Sequence, residues 1–253
     1  MCAVKKIAVT GKGGTGKTVL ATLLINMLAG QDVKVLAIDA DSAMSLPYTL
    51  GIEVPSTVSE VRKALVGSEQ AKQSLVDGGP TKSVMRDILA KGDGFDLLAM
   101  GRPEEPGCFC AVNDLLRFGI DSLTGDYDIV IIDGEAGPEQ LNRRVLRSID
   151  LLLVVSDMSA RSLETAAGII KVAQNYEDTE RVKHTGLILN RVRDDVPREE
   201  LLKKAGVPVF GEIPEDDDVN RYDREGISLR TLSADAKAVK AAADILKKAK
   251  ALD

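Results

Sequence analysis

An eight-residue stretch near the start of the chain, residues 11–18, constrains the fold more than any other feature. It reads Gly-Lys-Gly-Gly-Thr-Gly-Lys-Thr and fits the phosphate-loop pattern G-x-x-x-x-G-K-[ST] at every fixed position. An apolar run precedes it and a helical pattern over residues 19–28 follows it, which is the strand–loop–helix context that the motif requires. The stretch therefore predicts a loop that wraps its backbone N–H groups around the phosphates of a nucleotide.

Several positions of this loop have a predicted role at the phosphates. The helix N-terminus favours the anion, Lys17 reaches the β- and γ-phosphates, and the hydroxyl of Thr18 holds Mg²⁺. A glycine-rich turn that contains lysine by chance is the alternative, and the complete motif in its context argues against it. The predicted ligands of ATP or ADP in the loop are Gly13, Gly14, Thr15, Gly16, Lys17 and Thr18.

The composition of the chain argues against several other classes of protein. Its 253 residues suffice for a full α/β core, and we predict a single domain over residues 1–253. The net charge of −6 and the 3% aromatic content disfavour a nucleic-acid partner, and no apolar run is long enough to cross a membrane. Three cysteines, an odd number, and the lack of a visible signal peptide predict a cytoplasmic protein without a disulfide framework.

Apolar runs alternate with helical patterns along the chain, which predicts an α/β fold with a mainly parallel sheet of seven or eight strands and helices on both faces. The predicted strands cover residues 4–10, 33–38, 95–100, 127–132, 150–156, 184–189 and 207–213. The predicted helices cover residues 17–28, 56–65, 113–123, 162–174 and 233–251, with one more on each side of residues 78–80. Residues 42–51 and 134–138 are predicted to be irregular. Right-handed crossovers would bring the carboxyl ends of the strands to one edge of the sheet.

Three carboxylates follow predicted strands at that edge. Asp39 and Asp41 follow the second strand, and Asp133 ends the fourth. An aspartate that closes such an apolar run is the expected partner of a phosphate loop, where it holds Mg²⁺, commonly through a water. We therefore predict Thr18, Asp39 and Asp133 at the Mg²⁺ site, with Asp39 supporting either the site or the loop after it. Asp41 is predicted to orient or activate the attacking water.

A Cys-x-Cys pair, Cys108 and Cys110, is the second strong signal. In an extended segment, residues i and i+2 point to the same side with Cα atoms about 6–7 Å apart, so two thiolates could bind one metal ion. Two thiolates make only half of a tetrahedral site, and a twofold axis would supply the same pair from a second chain. Zinc, copper(I), nickel or an iron–sulfur cluster suits four sulfur ligands. A redox pair and two small buried residues are the alternatives.

Lys12 lies inside the phosphate loop beside its glycines, where it cannot easily reach the phosphates that its own loop surrounds. It could reach the phosphates of a partner chain. This Lys-Gly-Gly-x-Gly-Lys-Thr form resembles the deviant phosphate loop of the nitrogenase iron protein and the MinD/ParA ATPases. The resemblance implies a homodimer joined by ATP, in which Lys12 acts in catalysis across the interface. A solvated loop lysine is the alternative.

The phosphate loop, the Cys-x-Cys pair and the sequence Asp-Gly-Glu-Ala-Gly at residues 133–137 together resemble the CooC-type ATPases over essentially the whole chain. That resemblance implies a maturation factor that supports nickel insertion into carbon monoxide dehydrogenase, or into acetyl-CoA synthase for close relatives. It implies that Cys108 and Cys110 of two subunits bind one Ni²⁺ or Zn²⁺, and that ATP controls dimerisation. The residues that match the nucleotide-site positions of the family are Lys12, Lys17, Thr18, Asp41 and Asp133.

The resemblance also implies a pocket for the base. Asn190, at a strand end, resembles the adenine-reading asparagine of these ATPases, and a plain turn residue is the alternative. Arg191 adjoins it, and Pro214 and Glu215 would line the base pocket. The chain departs from the family after Asp41, where Ser42 and Ala43 stand in place of an expected proline and acidic residue. Because of this departure, the resemblance does not specify the Mg²⁺ contacts, the hydrolysis rate or the client enzyme.

Two other functions remain open on the sequence. An electron-transfer reductase with a dimer-bridging iron–sulfur cluster would resemble the nitrogenase iron protein, although that family places its cluster cysteines singly and far apart. A positioning ATPase of the MinD/ParA kind would need a membrane-binding helix or a DNA-binding surface, and the C-terminal segment has few large apolar residues. The expected partners are therefore a second copy of the chain and a nickel enzyme, without nucleic acid or membrane.

Overall fold

The computed structural model describes residues 5–66, 79–102, 109–137, 148–174, 182–193, 202 and 207–252. Its strands are β1 (Lys6–Gly11), β2 (Val35–Ala40), β3 (Ala90–Lys91), β4 (Phe95–Ala99), β5 (Ile129–Ala136), β6 (Ile149–Ser156), β7 (Val182–Val192) and β8 (Val209–Pro214). They form an eight-stranded sheet in the order β3-β4-β2-β5-β1-β6-β7-β8. Neighbouring strands run parallel except for β3 and β4, which are antiparallel, so the predicted mainly parallel sheet is confirmed.

Helices cover both faces of this sheet, as predicted. They are α1 (Lys17–Ala29), α2 (Ser45–Leu50), α3 (Val58–Val66), α4 (Gly79–Asp87), α5 (Phe109–Leu123), α6 (Ala160–Gln174), α7 (Asp217–Glu225) and α8 (Lys237–Lys250). Helices α1, α2 and α8 pack into one apolar cluster, and α3 to α6 pack into the cluster on the opposite face. Among the described helices none is both long and apolar enough to span a membrane.

The central strands are apolar without interruption because both of their faces are covered. In β1, Ile7 and Val9 belong to the cluster of α1, whereas Ala8 between them belongs to the cluster of α5 and α6. Leu36 and Ile38 of β2 face the second cluster in the same way. Burial on both faces thus explains why the sequence shows apolar runs here instead of an alternation of polar and apolar residues.

The register of the central strands brings the acidic residues together. Asp39 of β2 lies opposite Asp133 of β5, and Val9 of β1 lies opposite Asp133 on the other side of β5. Strand β1 leads directly into the phosphate loop, and α1 follows that loop. The loop and the carboxylates therefore meet at the carboxyl edge of the sheet, where open α/β sheets bind ligands.

Several predicted boundaries were wrong. Residues 42–51 contain α2, in which Pro47 occupies the first turn, where its missing N–H is not needed. Strand β5 continues to Ala136, because Ala136 pairs with Gly11 and the N–H of Gly137 donates to the carbonyl of Gly11. The C-terminal helix begins at Lys237 and not at residue 233.

Two short elements were not predicted, and one prediction falls outside the described residues. Helix α7 was missed because it has no buried residue and hence no apolar periodicity. The two-residue strand β3 was missed as well. The helix expected after residues 78–80 is confirmed as α4, although it begins already at Gly79. The helix expected before them lies outside the described residues.

Candidate nucleotide-binding site

The phosphate loop leaves the start of α1 ready for an anion. Gly16 has φ 93° and ψ 26°, a left-handed conformation that favours glycine, and α1 begins at the next residue without a side-chain cap. Thr15 closes the loop, because its hydroxyl and its N–H donate to the carbonyl of Lys12 at 2.8 and 3.4 Å. Nζ of Lys17 donates to the same carbonyl at 3.4 Å. The start of α1 thus has no side-chain cap, and the Lys17 ammonium lies against the same loop, which suits phosphate binding.

Asn190, at the end of β7, supports this loop from behind. Its Nδ2 donates to the carbonyl of Thr15 at 2.7 Å, and the side chain is 6% exposed. A Cβ at Gly16 would collide with this amide, so the loop needs glycine there for space as well as for its backbone conformation. The structure therefore gives Asn190 a role in holding the loop, which sequence reasoning did not anticipate. Part of Asn190 still lines the cavity described below.

Thr18 and Asp133 form the pair that suits Mg²⁺. The hydroxyl of Thr18 donates to Oδ2 of Asp133 at 2.6 Å. Oδ1 of Asp133 is buried and has no hydrogen-bond partner among the described residues. Burial raises the pKa of Asp133 to about 7, although the hydrogen bond from Thr18 and the charge of Lys17 lower it. A buried carboxylate oxygen without a donor, beside a hydroxyl at the cavity wall, fits a hard cation and its water ligands.

Asp39 and Asp41 have different positions, although they are two residues apart. Asp39 is fully buried, and its two oxygens accept from the N–H groups of Asp41 at 3.0 Å and Leu46 at 3.1 Å. Burial raises the pKa of Asp39 to about 8, and the negative charge of the Asp133 carboxylate is the second-largest cause. Asp41 lines the cavity, and its Oδ1 accepts from the N–H of Ala43 at 2.9 Å. Asp39 thus fixes the turn before α2, and Asp41 presents its carboxylate to the ligand space.

A cavity of about 560 Å³ extends from the phosphate loop to α7. The predicted site residues on its wall are Gly13, Gly14, Gly16, Lys17, Thr18, Asp41, Asn190, Arg191 and Pro214. Glu215 is not on this wall; its N–H donates to the carbonyl of Val192 at 3.0 Å. Arg191 has φ 54°, which is unusual for a residue with a side chain and is typical of functional sites. The wall also includes residues that sequence reasoning missed, namely Met44, Ser45, Tyr48 and Thr49 near α2, and Asp216, Val219, Asn220 and Asp223 near α7.

Asp216 connects two helices at the far end of this cavity. Its Oδ1 accepts from the N–H of Asp218 at 3.0 Å and caps α7, and its Oδ2 accepts from the N–H of Ala238 at 2.9 Å in the first turn of α8. The two helices are more than ten residues apart in sequence, so the second contact leaves no local sequence signal. One carboxylate therefore sets the relative position of both helix N-termini.

Replacing Asp216 with alanine should lower the free energy of unfolding by about 1–3 kcal/mol, because two helix ends lose their acceptor. Urea denaturation followed by circular dichroism measures this loss. Asp217→Ala is the matched control, since Asp217 is exposed in the first turn of α7. We expect its effect to be below about 0.5 kcal/mol. Equal losses in the two variants would contradict the double cap.

The Cys-x-Cys pair is described only in part. Cys108 lies outside the described residues, and the backbone of Cys110 lies in the first turn of α5, which begins at Phe109. The predicted extended conformation is therefore wrong at Cys110, where the chain is already helical. Among the described residues no group of three or more histidine, cysteine or acidic side chains is placed to hold a metal ion.

Comparison with known proteins agrees with this geometry. The chain matches the family model of the CobQ/CobB/MinD/ParA nucleotide binding domain over residues 6–229. An uncharacterised ATP-binding protein of Methanocaldococcus jannaschii is 39% identical over 249 residues, which cover 96% of this chain and 97% of that protein. The carbon monoxide dehydrogenase accessory protein CooC of Rhodospirillum rubrum is 30% identical, with 90% of each chain covered.

A solved structure shows the same architecture. The cell division ATPase MinD of Pyrococcus furiosus superposes with a TM-score of 0.71 at 26% identity, with 96% of this chain and 97% of that chain covered. The family model spans most of the chain, and the phosphate loop and the Thr18–Asp133 pair lie within the matched residues. The chain therefore belongs to the CobQ/CobB/MinD/ParA family of nucleotide-binding proteins, and it is a P-loop ATPase.

Proposed function

We propose that this ATPase is a metallochaperone whose ATP-controlled homodimer binds Ni²⁺ or Zn²⁺ and supports nickel insertion into carbon monoxide dehydrogenase or acetyl-CoA synthase. One joint observation carries the proposal. The chain combines a complete phosphate-loop site with the Cys108-x-Cys110 pair, and it is 30% identical to CooC over 90% of both chains. In this function the nickel or zinc ion is the cargo. ATP is the substrate, and its binding and hydrolysis would control when the dimer binds or releases the metal ion.

The proposed hydrolysis uses Lys17, Thr18 and Asp41 on the cavity wall, and the buried Asp39 and Asp133 behind it. Lys17 and the first N–H groups of α1 would hold the β- and γ-phosphates, and Asp41 would orient the attacking water. Thr18 and Asp133 would hold Mg²⁺, which when bound neutralises charge on the phosphate oxygens. Asp39 would act as a positioning residue, because both of its oxygens hold the backbone that carries Asp41 into α2.

Lys12 is the residue that we assign to the dimer. Its carbonyl accepts from Thr15 and Lys17, so its backbone belongs to its own loop. Its partly exposed side chain is not on the wall of the cavity of its own chain. These two facts support a role in which Lys12 neutralises the γ-phosphate charge of a partner subunit.

In this proposal the nucleotide acts on the cysteine pair through the connection between β4 and α5. That connection leaves the carboxyl end of β4, and β4 is the parallel neighbour of β2. The N–H of Met100, directly after β4, donates to the carbonyl of Asp39 at 2.9 Å. The connection thus starts beside the carboxylates of the ATP site. If ATP binding changes metal affinity at the dimer interface, linkage requires that the bound metal also favours the dimer.

Metal analysis of anaerobically purified protein tests the proposal. The wild type should bind one Ni²⁺ or Zn²⁺ per two chains, because four thiolates complete the site. The Cys108→Ser/Cys110→Ser variant should lose this metal and its metal-linked dimerisation, measured by light scattering after size exclusion. Cys2→Ser is the matched control and should retain both. If the double variant retained all of its metal, the proposed cargo site would be refuted. If the wild type contained iron and sulfide instead, the result would favour an iron–sulfur cluster carrier.

A positioning ATPase is the second candidate, and the likeness to MinD of Pyrococcus furiosus is the observation that favours it. Such a function needs a surface that binds a membrane or DNA. Co-sedimentation of the ATP-bound protein with anionic vesicles or with duplex DNA separates the two candidates. ATP-dependent co-sedimentation by a protein that binds no nickel or zinc would replace the metallochaperone with the positioning function.

A further inference from the structure

Tyr48 of α2 is an aromatic side chain on the wall of the nucleotide cavity without an assigned role. It is 61% exposed. The described part of the chain exposes two other large apolar side chains, Phe118 and Ile227, and neither lies on the cavity wall. An exposed ring beside a ligand cavity is costly in water unless a ligand covers it, so its position suggests a contact surface.

The backbone that carries Tyr48 is held firmly from several sides. The N–H of Leu46 donates to Oδ2 of Asp39, and the hydroxyls of Thr49 and Thr22 lie 2.6 Å apart, which ties α2 to α1. The carbonyl of Thr49 accepts from the hydroxyl of Ser228 at 3.0 Å. Helix α2 is therefore held by hydrogen bonds to the end of β2, to α1 and to the segment that follows α7.

The ring itself is positioned by the turn after α7. Gly226 ends α7 with φ 69°, and a Cβ there would lie 2.5 Å from the hydroxyl oxygen of Tyr48. The side chain of Tyr48 thus packs against a backbone that has no side chain of its own. A ring held in this way loses little conformational entropy when a ligand packs on it.

The geometry of the cavity says which part of ATP can reach Tyr48. Lys17 and Thr18 mark the phosphate end, at the N-terminus of α1. Tyr48 lies next to Gly226, so it belongs to the end of the cavity formed by α7, which adds the side chains of Asn220 and Asp223 to the wall. With the triphosphate at the loop, the nucleoside must extend toward this end.

We infer that Tyr48 is a nucleoside-binding residue, whose ring packs on the nucleoside of ATP or ADP and helps the site discriminate nucleotides from simple polyphosphates. The inference rests on the ATP site proposed above and adds a residue to it. Removing an aromatic ring that stacks on a base weakens binding by about 5- to 150-fold. The contact would act equally in the ground state and the transition state, so it should affect KM and not kcat.

The test compares nucleotides with tripolyphosphate. Tyr48→Ala should raise the Kd for Mg·ADP and the KM for ATP about tenfold, a change that lies within the stacking range. The inhibition constant of tripolyphosphate and kcat should change by less than about twofold, because neither depends on nucleoside contacts. Tyr48→Phe keeps the ring and should bind ADP like the wild type. Phe118→Ala is the matched control for the loss of an exposed aromatic ring.

Each other outcome overturns the inference. An unchanged Kd for ADP in Tyr48→Ala would remove the contact. Equal weakening of ADP and tripolyphosphate would place the effect in the phosphate loop or in the fold. A defect of Tyr48→Phe as large as that of Tyr48→Ala would assign the effect to the hydroxyl against Gly226 and not to the ring. If wild-type protein binds neither ADP nor tripolyphosphate, the ATP site itself fails.

Discussion

Asp133→Asn should reduce ATP turnover by about 100-fold or more and leave the folded chain at least as stable as the wild type at pH 8. The loss of turnover follows because Asp133 supplies a buried oxygen that we assign to Mg²⁺. This oxygen lies beside the Thr18 hydroxyl and has no hydrogen-bond donor in the described part of the chain. Asparagine is nearly the same size, but its neutral amide is a poor ligand for this ion. Steady-state phosphate release at saturating Mg·ATP measures the turnover.

The stability of the same variant should depend less on pH. The folded pKa values of Asp39 and Asp133, about 8 and about 7, lie above the ordinary value of 3.8. Each carboxyl group therefore binds its proton more tightly in the folded chain than in the unfolded chain. The folded state of the metal-free wild type consequently loses stability as pH rises from about 4 to about 8. Asp133→Asn removes one of these two carboxyl groups and the negative charge beside Asp39. Its free energy of unfolding should therefore fall less than that of the wild type as the pH rises from about 4 to about 8.

Asp150→Asn is the matched control, because Asp150 is a largely buried aspartate at the amino end of β6, on the far side of β1 from β5. Its Oδ2 accepts from the N–H groups of Lys5 and Lys6, and Lys183 lies 2.7 Å from its Oδ1. We expect this variant to be less stable than the wild type while its turnover is unchanged. Normal Mg²⁺-dependent turnover in Asp133→Asn would refute the assignment of the metal site. Urea titrations in EDTA at pH 5 and pH 8 provide the stability data.

Gly11→Ala should cost about 3 kcal/mol or more of folding free energy, which is a large share of the total stability of an ordinary domain. Gly11 has φ 149°, and a Cβ there would collide with the carbonyl oxygen of Val155. That carbonyl belongs to β6, and β1 lies between β5 and β6 in the centre of the sheet. Neither strand can move aside without breaking the pairing of its neighbour, so the strain cannot relax locally. The soluble yield and the urea midpoint measure the effect.

Gly13→Ala in the same loop separates this effect from a general need for glycine. Gly13 has no left-handed backbone, and a Cβ there would meet no described atom within 4 Å. We expect its folding free energy to stay within about 1 kcal/mol of the wild-type value. A Gly11→Ala variant as stable as Gly13→Ala would show that the sheet yields at this position, contrary to the packing described above.

The phosphate-binding part of the site could be predicted because short-range patterns encode it. The loop motif specifies the residues at the start of α1, and the apolar runs locate β1, β2 and β5. Parallel pairing then requires that Asp39 and Asp133, which end two of those runs, lie at one edge. Burial on both faces made these runs easy to recognise, and each of the three strands lies within about two residues of its predicted start.

Asn190, Arg191 and Pro214 line the cavity, as the family resemblance implied, but the side of the site formed by α2 and α7 could not be predicted. Its contacts join residues that are distant in sequence. Helix α7 carries only charged, polar and half-buried residues, and helix α2 is short and contains a proline. Neither segment has the apolar periodicity by which helices are found. The bond from Asn190 to the carbonyl of Thr15 spans 175 residues, and no spacing in the chain predicts it.

Because Asp216 caps both α7 and α8, the stability of α8 is coupled to the structure of the cavity. One carboxylate caps the N-termini of both helices. Fraying at the start of α8 therefore removes one of the hydrogen bonds that hold Asp216, which lies on the cavity wall. If the nucleoside occupies this end of the cavity as proposed, its binding and the order of α8 must favour each other. We therefore expect bound nucleotide to reduce fraying of α8, most of which is packed against the sheet.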